Sequence, residues 1–199
     1  MLSSSGTDTY ATVSAAIGAL KGPRHGGANL RVRKMMEELK SEVSDWSDEE
    51  EVYNYLAAIV RKEKCDGTGL IYGFGHAVYT LSDPRAVILK QTAEKLAHEK
   101  KMTKEYELYK TVEKLTPSVL MNVKGSSKVI CANVDFYSGF VYDMLGIPSD
   151  LFTPIFAISR IAGWCAHRIE EVTYGGRIIR PAYRAMVSSK KYVPISERK

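Results

Sequence analysis

Only three cysteines occur in the 199 residues, Cys65, Cys131 and Cys165, and none belongs to a CxxC pair. An odd, dispersed set excludes a disulfide framework and reads as buried or idle thiols of a reducing compartment. Long hydrophobic runs are missing too. The longest, Leu151 to Ala166, is broken by Pro154, Ser159 and Arg160, and falls short of the ~20 apolar residues that a membrane-spanning helix needs. No signal-like segment is read at the start, so a cytoplasmic protein without a membrane partner is expected. Strand-like residues are confined to Leu70–Tyr72 and Arg177–Ile179, and no repeat of roughly 20–50 residues is present. There is no GxxxxGK[ST] loop. Gly73-Phe74-Gly75 is only a fragment of GxGxxG without a βαβ unit before it, so nucleotide folds of either kind are excluded. His25 and His76 are far apart and belong to no HxxxH or HExxH unit, so no metal site is expected. Charge of one sign is scarce as well. The net value of +5 is mild, and Lys190, Lys191, Arg198 and Lys199 read as a solvated end, not a nucleic-acid arm. A modest positive balance suits small polyanionic substrates.

What is present is helical periodicity. Tyr10, Val13, Ile17 and Leu20 predict a helix over 7–21 that stops at Gly22-Pro23. A second follows Gly26-Gly27 with Leu30, Met35, Met36 and Leu39 inward. Ser47 and Glu50 predict a capping box for a third, striped by Val52, Leu56 and Ile59. Asp83-Pro84 starts a fourth, because Asp caps and Pro fits the first helical position. Thr103 is expected to cap a fifth, and Lys124 to Lys128 forms a polar turn. A sixth is predicted from near Val129 to Gly146. Beyond Asp150 the chain is apolar almost all round, which predicts a central buried helix. After Gly175-Gly176 it turns basic and irregular. The expectation is an all-α fold with short connections.

Three breaks in this pattern carry chemistry: Gly22-Pro23-Arg24-His25-Gly26-Gly27-Ala28-Asn29, Gly73-Phe74-Gly75-His76, and Asn133-Val134-Asp135. Two histidines and a carboxylate beside breaks are what carbon–carbon bond chemistry next to a carbonyl requires. His25, just before a helix, is either a local hydrogen-bonding residue or a neutral imidazole donating to a carbonyl oxygen. His76 follows glycines that let a ligand approach the backbone. Asp135, in an apolar helix, is either tethered by a buried partner or a working base. Arg85 in a first helical turn and Arg160 in the most apolar helix each call for an anion nearby, and Arg180 precedes Pro181. Arginine forks are the usual answer to dicarboxylates and tricarboxylates. His98 and His167 read as surface residues.

Taken in order, these segments resemble the citrate synthase family. Its pattern is similar to G-P-L-H-G-G-A-N, G-F/Y-G-H followed by D-P-R, N-V-D-F-Y-S-G, F-T-x-x-F-A-I-x-R, and R-P. The matching residues are Gly22 to Asn29, Gly73 to His76, Asp83-Pro84-Arg85, Asn133 to Gly139, Phe152 to Arg160, and Arg180-Pro181. Arg24 replaces a common Leu, and Ala132 stands where Pro often precedes N-V-D. The resemblance implies a citrate synthase-like helical small domain over 27–147. It also implies strips of a large helical domain, a remnant at 1–26 and a C-terminal part at 148–199.

The resemblance further implies that Asp135 takes a proton from the methyl of acetyl-CoA, that His25 stabilises the enol or enolate, and that His76 polarises the keto group of oxaloacetate. Arg85, Arg160 and Arg180 would hold carboxylates, Arg180 across a homodimer interface. Leu70, Ile71, Gly73, Phe74 and Gly75, with Asn133, would form the CoA-binding turn. No metal or redox cofactor is implied, and acetyl-CoA is a substrate; 2-methylcitrate synthase and a non-catalytic CoA-binding module are the alternatives. Family members usually carry an N-terminal half, so the expectation is a C-terminal portion, weakly active or inactive alone, with exposed apolar surface on Tyr10 to Leu20 and on 151–166.

Overall fold

Helix signals in the sequence become seven α-helices among the described residues: α1 Thr9–Lys21, α2 Ala28–Glu42, α3 Glu49–Val60, α4 Pro84–Glu99, α5 Thr103–Lys124, α6 Val134–Met144 and α7 Phe152–Tyr174. The computed structural model describes residues 1–22, 25–126, 128–182, 184 and 186–198. Pro23 and Arg24 of the first motif, and Lys199 of the basic tail, lie outside them. The protein is all-α; its one β feature among the described residues is an isolated bridge between Phe74 and Ala132.

Asp83 and Pro84 start α4 as the sequence implies, with the Asp83 carboxylate accepting the Arg85 N–H at 3.0 Å. Elsewhere the caps shift. The third helix is capped by Asp48, which accepts from the N–H groups of Glu50 and Glu51 at 2.8 and 3.3 Å, while the Ser47 hydroxyl turns back to Asp45. A charged acceptor one residue later satisfies the same orphan donors and complements the helix dipole, so it displaces the expected Ser47–Glu50 box. Thr103 is the first residue of α5 and Met102 precedes it without a side-chain cap. Helix α6 begins at Val134, later than expected, because residues 131–133 pair with 73–75 as extended backbone.

The expectation of a central buried helix fails for α7, in which Phe152 is the only buried residue among those described. Ile158, at 69% exposure, Ile169 and Val172 face outward, while Ile155, Phe156, Ile161 and Trp164 are half-buried. Tyr10 on α1 is 87% exposed while Leu20 is buried, so the expected apolar surface lies on the outer part of α1 and along α7.

The chain divides into two compact units, one of Ile17–Ile161 and one of Met1–Ala16 with Ala162–Lys199. The first begins before and ends after the 27–147 domain that the resemblance implies. Inside it, α3 packs on α5, and α6 packs on both α2 and α4. Helix α6 is the most deeply held: Phe136 and Tyr137 are fully buried, and Phe140 stacks on Tyr109 with centroids 4.7 Å apart. Each fully buried ring of this kind stabilises by about 1.5–3 kcal/mol, which anchors the helix whose first turn carries Asp135. The single Nε–H of Arg33, shared between both Asp143 oxygens at 2.9 Å, ties α2 to the far end of α6. In the second unit, the Arg168 guanidinium donates to the Ser3 carbonyl and hydroxyl and to the Thr7 carbonyl, holding the N-terminal residues on α7.

Candidate active site

A short stretch of backbone pairing brings two of the three motifs together. The Gly75 N–H donates to the Cys131 carbonyl at 2.9 Å, and the Asn133 N–H to the Gly73 carbonyl at 2.8 Å. The Asn133 side chain then works both ways: Nδ2 donates to the Gly75 carbonyl, and Oδ1 accepts the Asp135 N–H, each at 3.0 Å. One residue thus caps α6 and clamps the turn that precedes His76. The third motif arrives as a tight turn after α1, with the His25 and Gly26 N–H groups donating to the Gly22 carbonyl at 2.9 and 3.1 Å. Gly26 is required there, because a Cβ would lie 2.2 Å from the Leu20 carbonyl oxygen.

These pieces enclose a cleft of about 210 Å³ lined by His25, His76, Arg85, Asn133, Asp135 and Arg160, among others. It is smaller than the ~300–1,000 Å³ of pockets that hold drug-sized ligands, and suits a small acid or the reacting end of a larger molecule.

The side chains in it are prepared for different tasks. Nδ1 of His76 accepts the N–H groups of Val78 and Tyr79 at 3.0 and 3.3 Å. A nitrogen that accepts cannot carry the ring proton, so neutral His76 holds it on Nε2 and presents a donor. Nη2 of Arg85 lies 3.4 Å from that Nε2. Two donors facing one another need an oxygen acceptor to share. Tyr79 steadies both, its ring 4.9 Å from the His76 ring and 5.4 Å from the Arg85 guanidinium carbon. Burial pushes the Asp135 carboxyl above its ordinary value, against the pull of Arg85 and, more weakly, of His25 and His76. A carboxyl raised by desolvation among cationic and imidazole groups is the environment of a general base. Arg160 lies exposed over the Phe156 ring at 5.3 Å, on α7, and is not the buried guanidinium that its apolar neighbours imply.

Within the unit that holds the cleft, not every residue expected at the site lines it. Arg180 sits exposed in the non-helical segment of the other unit. Of the expected CoA-binding set, Asn133 lines the cleft. Ile71 is buried in the core, Gly73 abuts Phe136, and the Phe74 ring packs on Phe136 with centroids 4.8 Å apart. That leaves the exposed Leu70 side chain, with those backbone groups of the turn that residues 131–133 do not engage, available to a ligand. Sequence reasoning missed Tyr79; the only signal was its nearness to His76. Among the described residues no cluster of His, Cys, Asp or Glu could hold a metal ion, and no helix is long and apolar enough to cross a membrane.

A family model of the C-terminal domain of citrate synthase matches residues 1–182. The chain belongs to the citrate synthase family. It is 43% identical over 194 residues to a citrate synthase of Synechocystis, covering 96% of this chain and 44% of that one. Against a 2-methylcitrate synthase of Shewanella oneidensis it is 38% identical, covering 96% and 46%. Among solved structures it superimposes on the citrate synthase of Thermoplasma acidophilum with a TM-score of 0.72 at 38% identity, over 98% of this chain and 48% of that chain. That structure is described as a ternary complex with carboxymethyl coenzyme A and oxaloacetate. The Thermotoga maritima citrate synthase gives the same TM-score at 33% identity, over 100% and 49%. The chain therefore spans about half the length of the citrate synthases it matches.

Proposed function

We propose that this chain carries the condensing chemistry of citrate synthase, joining acetyl-CoA to oxaloacetate and water to give citrate and CoA. The observation that carries the reading is the convergence of His25, His76 and Asp135 on one cleft with Arg85 and Arg160. Asp135 removes a proton from the acetyl methyl group while His25 donates to the thioester oxygen, so the electron pair is held as an enol or enolate. The Nε2–H of His76 polarises the keto oxygen of oxaloacetate. The methyl carbon attacks the keto carbon, the new alkoxide takes the His76 proton, and citryl-CoA is then hydrolysed to citrate and CoA.

Arg85 and Arg160, with Arg180 supplied across a homodimer interface, hold the carboxylates. Leu70, the backbone of the 70–75 turn and Asn133 meet the CoA end. The carbon nucleophile is stabilised by hydrogen bonds alone, so the reaction calls for no metal or redox cofactor. The Thermoplasma complex with carboxymethyl coenzyme A and oxaloacetate supports this choice of substrates.

The test is oxaloacetate-dependent thiol release by the purified chain, followed with a thiol reagent, alongside calorimetric titration of each substrate. Propionyl-CoA is run in parallel because the relatives include a 2-methylcitrate synthase. One methylene is worth about 1–3 kcal/mol, so a preference of roughly 10–200-fold is expected to decide between the two. Binding of CoA without thiol release would favour the non-catalytic module. Failure to bind oxaloacetate at about 1 mM, the upper end of common KM values, would end the reading.

A pH dependence follows from Asp135. The base must be ionised, and burial raises its pKa, so the rate falls with decreasing pH through an apparent pKa above the ordinary 3.8. An acid limb at or below that value would remove Asp135 from the role of base.

A further inference from the structure

We infer that Asp83 is a positioning residue, whose buried carboxylate aims the Arg85 guanidinium into the cleft. The inference rests on the reading of the cleft as a dicarboxylate site. As a helix cap, Asp83 needs only one oxygen, the one that accepts the Arg85 N–H. It does more than that. The same Oδ1 accepts from Arg85 Nε at 3.0 Å, and Oδ2 accepts from Nη2 at 2.8 Å, a two-pronged fork onto one edge of the guanidinium. The Asp83 side chain has no exposed surface, whereas that of Arg85 is 44% exposed. Anchor and tip are thus divided: the carboxylate is fixed in the protein, and the remaining guanidinium donors are left for the cleft.

The sign of a single substitution separates positioning from charge. Asp83→Asn keeps the cap, since Asn and Asp serve about equally there. It removes a negative charge beside an anion site, which taken alone would tighten the binding of a dianion. It also breaks the fork, because an amide presents N–H groups to a guanidinium that has only donors. If aim is what Asp83 supplies, binding weakens despite the favourable charge change.

Oxaloacetate is titrated calorimetrically into the wild-type chain, Asp83→Asn, Arg85→Lys and the double variant, with a melting temperature for each. The expected result is a loss of affinity of about tenfold or more in Asp83→Asn, within the range for charged hydrogen bonds. In the Arg85→Lys background, where a swivelling ammonium has no fork to aim, Asp83→Asn should change affinity by about twofold or less. Unchanged or tighter binding in Asp83→Asn overturns the inference. So does a loss that persists undiminished in the double variant, which would mark a merely structural role. Should Asp83→Asn fail to fold, Asp83→Glu, with its carboxylate displaced by one methylene, carries the same expectations. A wild-type chain that binds no oxaloacetate overturns the functional reading and this inference with it, whereas wild-type binding with an indifferent Asp83→Asn overturns this inference alone.

Discussion

In the active protein, replacing Asp135 by Asn is expected to lower oxaloacetate-dependent thiol release by about 10²–10⁴-fold, the range for loss of a positioned acid or base. The same change should raise the melting temperature. Burial is the dominant influence on this carboxyl and works against its charge, so the folded protein tolerates the carboxylate at a cost that a neutral amide avoids. The folded pKa lies above the unfolded one. Below the unfolded value the group is protonated in both states and the penalty is absent; it sets in as pH rises through 3.8 and is complete above the folded value. The gain from Asn should therefore be full near neutral pH and vanish in acid. Each kcal/mol of relief corresponds to roughly 2–4 °C in a chain of this size. Activity assays and thermal melts across pH test both halves. Near-wild-type turnover would take Asp135 out of the mechanism, and a lower melting temperature at neutral pH would mean that its interactions outweigh its burial.

Gly73→Ala is expected to destabilise the central unit by about 2–5 kcal/mol, combining backbone strain with overpacking. Gly73 has φ +86°, and a Cβ there would lie 2.8 Å from Cβ and Cδ2 of Phe136 and 2.9 Å from its Cα. None of those atoms can yield easily, because Phe136 is fully buried in the first turn of α6. Relief requires the 73–75 segment to lift from 131–133, which breaks the hydrogen bond from the Asn133 N–H to the Gly73 carbonyl. That segment carries His76 and its partner leads into Asp135, so oxaloacetate affinity should fall together with stability. A fall in melting temperature of roughly 5–15 °C is expected in a thermal scan. A melt within about 1 °C of wild type would mean that the turn is not held as described.

Helix signals proved legible where they are local. Asp83-Pro84 marks the start of α4 in sequence and structure alike, because a cap and a first-turn proline act within a few residues. The third helix shows the limit of such reading: Ser47 and Asp48 both satisfy a cap pattern, and only the observed hydrogen bonds choose Asp48. The late start of α6 was invisible for a different reason. Residues 129–133 look like a continuation of its apolar stripe, and what keeps 131–133 extended is a bond pattern to residues nearly sixty positions earlier, such as Asn133 to Gly75. Arg160 departs from its expectation likewise, as Ile158 beside it is exposed and Phe156 and Ile161 are only half-buried.

Residue types and their order were enough to name the proton-moving groups, His25, His76 and Asp135, since each stands at a break that local backbone rules make readable. Their arrangement came from elsewhere: which nitrogen of His76 carries the proton, how Asp83 holds Arg85, and how far burial lifts the Asp135 carboxyl. Those properties depend on neighbours distant along the chain or on exclusion from water, and only folding brings either about.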